Sequence, residues 1–151
     1  MASRTERIKK EFETLKNSKV IPIVKCEFVG GDINNWEVSF KGSSCSPYED
    51  GIFQLKVNLK SGFPEERPWI YFNTKMFHPN VRQEDGLISL NLLYNWVKTR
   101  TIEETINGFI QVMDNPQNCG YNEEPGKLLL KDREAFFEKV EEYTMKYAMN
   151  N

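Results

Sequence analysis

The chain has 151 residues, 39% of them hydrophobic and 13% aromatic, the make-up of a folded domain rather than of a disordered segment. That length suits a single domain, residues 1–151, with enough chain to bury a core. A formal net charge of −2 supplies no broad basic surface for nucleic acid, and no apolar run approaches the ~20 residues that a membrane-spanning helix needs.

A first helix is expected from about Arg4 to Asn17, with Ser3 and Glu6 spaced as a capping box. Ile8, Phe12 and Leu15 make its apolar face. Arg4, Arg7, Lys9, Lys10 and Lys16 are expected on the solvent side. Three segments of period two follow. Val24, Cys26 and Phe28 alternate with charged residues, as do Trp36, Val38 and Phe40, and then Phe53, Leu55, Val57 and Leu59. Short turns join them, Gly30-Gly31 being the first, so they read as an antiparallel meander with one wet face. Trp69–Phe72 adds a short fourth strand.

Residues 73–100 carry little periodicity, and a long irregular stretch in a small domain is usually functional. Thr101 and Glu104 then open a second helix with an apolar face of Ile102, Ile106, Phe109, Ile110 and Met113, which is expected to be central and buried. Asn115-Pro116 ends it. Two last helices are expected over about 123–131 and 132–149. The order implies an α+β fold: an N-terminal helix, a four-stranded antiparallel meander, a functional loop, then a central helix and C-terminal helices.

Cys26, Cys45 and Cys119 are odd in number and widely spaced, which fits free thiols better than a disulfide framework. No close pair of Cys or His exists, so no metal site is expected. The start of the chain lacks the apolar core of a signal peptide. With the free thiols, this leads us to expect a cytoplasmic and/or nuclear protein.

Phe77-His78-Pro79-Asn80, followed by Gly86-Leu87-Ile88-Ser89-Leu90-Asn91, resembles the active-site segment of ubiquitin-conjugating enzymes. Other landmarks are similar: Pro47-Tyr48-Glu49-Asp50-Gly51-Ile52-Phe53, Phe63-Pro64 with Pro68, Trp96, and Thr101-Ile102. The resemblance covers nearly the whole chain and implies the family's fold. It also implies the family's partners: ubiquitin or a ubiquitin-like protein, an activating enzyme, and a ligase. No cofactor is implied, since ATP is used by the activating enzyme.

In the family the residue between Ile and Leu is the cysteine that carries ubiquitin as a thioester; here it is Ser89. A serine hydroxyl is far weaker than a thiolate unless a base activates it, so at most a slow oxyester is expected. A Ser-His-acid hydrolase is argued against by the missing G-x-S-x-G elbow. Two readings remain open: an active-site Cys-to-Ser form of a conjugating enzyme, or a natural inactive variant acting as a ubiquitin- or enzyme-binding module.

For His78, hydrogen bonds that pin the loop are favoured over a general base. The Asn80 amide could steady an oxyanion, as the family implies, or cap its own turn. Asn91 stands where the family often has Asp. Partner contacts are implied for Arg7, Lys9 and Lys10 on the first helix, and for Pro64, Glu65 and Lys98 on the two ligase-facing loops. There Glu65, Arg67, Lys98 and Thr99 replace less polar residues, and desolvating charges is costly. Ordinary RING-ligase pairing is therefore in question.

Overall fold

The structure, a computed structural model, describes residues 3–82, 84–88, 95–115 and 123–149. Ser3 starts the chain's first helix, its Oγ accepting the Glu6 N–H at 3.1 Å, and α1 runs Arg4–Lys16. The strands are β1 (Ile23–Val29), β2 (Asp32–Lys41), β3 (Ile52–Asn58) and β4 (Trp69–Phe72), joined as one antiparallel sheet in the order β1-β2-β3-β4. Gly30 and Gly31, with φ of 59° and 78°, turn β1 into β2, a conformation that side chains resist. The helices α2 (Ile102–Asp114), α3 (Glu123–Lys131) and α4 (Arg133–Tyr147) complete the α+β arrangement.

Side-chain alternation decides the faces. Trp36, Val38 and Phe40 of β2, with Phe53, Leu55 and Val57 of β3, are all buried. They meet Ile8, Phe12 and Leu15 of α1 and Ile102, Ile106, Phe109 and Met113 of α2 in one core. Burial of each such side chain contributes roughly 1.5–3 kcal/mol. On the opposite face Glu27 pairs in register with Glu37, and Lys25 lies 3.6 and 3.5 Å from the two carboxylates.

The inner face of β1 differs from the alternation pattern. A register shift between Ile23 and Lys25 leaves Val24 49% exposed, although Cys26 is buried. Phe28 is half-buried and stacks on Phe12 at 4.0 Å. On α4, Phe136, Val140 and Thr144 are the buried residues, while Tyr143 and Tyr147 are half-buried and pack on each other at 5.4 Å.

The β2–β3 connection contains two residues in the left-handed region, Cys45 at φ 62° and Asp50 at φ 71°. For a residue with a Cβ that conformation costs about 1–2 kcal/mol, against roughly 0.5–1 kcal/mol of extra chain entropy lost by glycine. Cys45 is exposed, and its backbone N–H, which donates to Glu49 Oε2 at 3.1 Å, is kept by any substitution. Cys45→Gly is therefore expected to raise the melting temperature by about 1–4 °C. A thermal melt that shows a loss would remove the strain argument.

Candidate functional site

The segment that leaves β4 is led inward by Phe77, which packs between Phe136 and Tyr143 of α4 at 5.7 and 5.4 Å. His78, Pro79 and Asn80 follow, all buried, with His78 1% and Asn80 3% exposed. His78 has both ring nitrogens engaged. Nε2 lies 3.1 Å from the Val112 carbonyl in the last turn of α2, and Nδ1 accepts the Asn80 backbone N–H at 3.0 Å. A carbonyl only accepts, so the neutral ring carries its proton on Nε2. The imidazole thus ties Asn80 to α2, and neither nitrogen is left for a metal ion. Among the described residues no cluster of His, Cys, Asp or Glu is arranged for a metal.

Burial pushes the His78 pKa down to about 4, against the two α2 carbonyls that raise it. Protonation then favours the unfolded chain, whose histidine titrates near 6.5. Stability is full above that value and falls as pH drops from about 6.5 to 4, by about 3 kcal/mol in all. His78 is the chain's single histidine. Its imidazole resonances are expected to titrate with a midpoint near 4; a midpoint at 6.5 would contradict the buried, neutral ring.

Beyond Asn80 the chain turns back on itself. Val81 and Ile88 form an antiparallel bridge, Arg82 N–H donates to Leu87 O at 2.9 Å, and Gly86 N–H donates to Arg82 O at 2.7 Å. Arg82 grips Asp85 with two bonds, Nε to Oδ1 at 2.9 Å and Nη2 to Oδ2 at 2.5 Å. The Arg82 guanidinium holds the Asp85 carboxyl down to about 2. Gly86 sits at φ 80°, where a Cβ would come within 1.9 Å of the Phe72 carbonyl oxygen, so only glycine closes this turn against β4. Ile88, 3% exposed, is the residue before Ser89. Ser89, Asn91 and Cys119 lie outside the described residues.

The two loops with implied ligase contacts are joined. Trp96 Nε1–H donates to Pro64 O at 2.8 Å and its ring lies 6.0 Å from Phe63. Pro64 is half-buried; Glu65 and Lys98 are exposed, and Arg67 lies over the Trp69 ring at 4.3 Å. Lys9 and Lys10 are exposed on α1.

Arg4 and Arg7 do not face solvent freely, as the sequence led us to expect. Arg4 Nε and Nη2 donate to the carbonyls of Phe63 and Lys60, both at 2.9 Å. Arg7 Nη2 donates to Arg100 O at 3.0 Å, and Arg7 Nε lies 3.3 Å from Glu11 Oε2. The physical reason is that both arginines lie next to the apolar stripe of α1, where backbone carbonyls of neighbouring loops need donors. Glu11 is 6% exposed and its Oε1 accepts the Ile102 N–H at 2.7 Å, adding a cap to α2 beside the full Thr101–Glu104 capping box. Sequence reasoning missed Glu11. The signal was present, since 8, 11, 12 and 15 are one face of a helix and a carboxylate interrupts it.

Comparison with known proteins bears on this architecture. A family model described as ubiquitin-conjugating enzyme matches residues 7–144. The chain is 32% identical to Protein PEROXIN-4 of Arabidopsis thaliana, an alignment covering 99% of this chain and 98% of that protein. It is 30% identical to ubiquitin-conjugating enzyme E2 6 of the same plant, over 98% of this chain and 80% of the relative. Among solved structures, the E2 domain of a ubiquitin-conjugating enzyme from Toxoplasma gondii matches with a TM-score of 0.88 at 25% identity, covering 97% and 99% of the two chains.

Proposed function

Because the chain belongs to the ubiquitin-conjugating enzyme family, we propose that position 89 is where it takes up ubiquitin or a ubiquitin-like protein from an activating enzyme, for transfer to a substrate lysine. Membership implies ubiquitin, an activating enzyme and ligases as partners in general terms. With serine at that position the uptake is limited to a slow oxyester, and the residue is read as a Cys-to-Ser form of the acceptor. The observation that carries this reading is the Val81–Ile88 bridge, one residue from Asn80 on one strand and one residue from Ser89 on the other. In this reading Asn80 supports the oxyanion or the loop, as the family implies, and His78 is structural. Asn91 flanks the acceptor in sequence. The protein needs no cofactor of its own and works in the cytoplasm and/or nucleus. The test is charging of Ser89→Cys by an activating enzyme with ATP, read as a thiol-reducible adduct.

A second reading has its own support in Ser89 together with Glu65, Arg67, Lys98 and Thr99: a non-catalytic module that binds ubiquitin or a conjugating enzyme. The codon at position 89 of the natural gene decides between them. A cysteine codon removes the binding-module reading, and a serine codon makes it the leading one.

Docking of the activating enzyme is assigned to the exposed basic residues of α1. Clustered charge speeds encounter with an acidic partner and loses its effect as salt screens it beyond about 10 Å at 0.1 M. In the Ser89→Cys form, Lys9→Glu with Lys10→Glu is expected to slow charging several-fold at low salt and little at high salt, with an unchanged melt. Equal rates at low salt would leave α1 as scaffold only.

A further inference from the structure

The last turn of α2 carries the Val112 carbonyl that faces His78, so whatever fixes that turn also fixes the His78–Asn80 segment. Two residues on, Asp114 provides a tie between this turn and the β2–β3 connection: Ser43 Oγ–H donates to Asp114 Oδ2 at 2.6 Å. The connection is itself braced. Ser46 Oγ–H donates to Ser43 O at 2.7 Å and accepts the Tyr48 N–H at 3.1 Å, while Ile52 N–H donates to Ala148 O at 2.9 Å, at the end of α4. The tie is made at a cost. Asp114 Oδ1 and the Tyr48 hydroxyl are both buried without a hydrogen-bond partner among the described residues. Desolvation raises the Asp114 pKa despite the bond from Ser43, and its charge adds to the rise at Tyr48.

We propose that Asp114 is a positioning residue for the acceptor turn, acting through the last turn of α2 to hold the Val112 carbonyl against His78. Ser43 and Asp114 work as one unit in this role. The functional part of the proposal rests on the conjugating-enzyme reading above; the positioning part does not.

The experiment compares Asp114→Ala, Ser43→Ala and Asp114→Asn, each confirmed as folded by a thermal melt. The first readout is the nitrogen spectrum of the single imidazole, which reports the Nε2–H bond to Val112 directly. Asp114→Ala and Ser43→Ala are expected to broaden the tautomer preference and move the ring's titration midpoint upward from about 4. Asp114→Asn keeps an acceptor for Ser43 and is expected to restore the parent signature. The second readout is transfer from the charged Ser89→Cys background to free lysine. Here the two alanine variants are expected to lose about tenfold in kcat with KM little changed, because a misplaced group near the reacting atoms acts on the rate. If Asp114→Ala does not fold, Ser43→Ala carries the comparison. An imidazole spectrum unchanged in a folded alanine variant overturns the proposal. Altered imidazole signals in a background that never charges would instead remove the conjugating reading and leave the positioning role standing.

Discussion

Ser89→Cys is expected to turn this chain into a protein that forms a thiol-reducible adduct with ubiquitin or a ubiquitin-like protein when activating enzyme and ATP are present. The size of the change follows from the nucleophile. A free cysteine is a few per cent thiolate at neutral pH, whereas serine depends on a neighbouring base, a contribution of about 10²–10⁴ in rate. The chain's single histidine cannot supply that help as it stands, since one nitrogen of His78 donates to Val112 and the other accepts from Asn80. With serine in place, the chain is therefore expected to give at most a slow adduct that survives thiol and yields to base. Non-reducing gels of both forms beside each other make the measurement. If Ser89→Cys charges with none of the ubiquitin-like proteins tested, the acceptor assignment fails, and the binding-module reading takes its place.

A large loss of stability is expected at Glu11. Its side chain is 7% exposed and holds two partners at once, the Arg7 guanidinium at 3.3 Å and the Ile102 N–H at 2.7 Å. Removing one member of a buried ion pair typically costs 3–5 kcal/mol, because the other charge is left without its partner. Arg7 keeps its bond to Arg100 O and some solvent access, which places Glu11→Ala near the lower end, about 3 kcal/mol. For a domain of this size that is about 6–12 °C in melting temperature. Glu11→Gln retains an acceptor for Ile102 and is expected to lose less. The exposed Glu13, on the solvent side of the same helix, sets the baseline, with Glu13→Ala expected within about 0.5 kcal/mol of the parent. A Glu11→Ala protein that melts within a degree or two of the parent would show that the buried pair contributes nothing net.

Much of the fold is legible in the amino-acid sequence. Alternation at 36, 38, 40 and at 53, 55, 57 announces two central strands, because side chains on a strand point to opposite faces whatever the neighbours are. Thr101 and Glu104 announce the start of α2 because a capping box is a local bond pair. The helix-by-helix order, the His-Pro-Asn turn and the glycine at 86 are likewise local signals, and together they are enough for the α+β fold and the family. The sequence by itself thus determined the elements, their order, and which turn is the candidate for the chemistry.

What the tertiary structure alone decided are the pairings across distance. Glu11 meets Ile102 across 91 positions, His78 meets Val112 across 34, and Ser43 meets Asp114 across 71. Arg4 and Arg7 read as solvent charges until the loops at 60–63 and 100 brought them carbonyls to satisfy. Val24 read as a core residue until the bulge in β1 turned it out. The reason is common to all of them. A hydrogen bond or a burial is set by which groups are left without water once the core has closed, and that depends on the packing of the whole chain, not on a residue's neighbours in sequence.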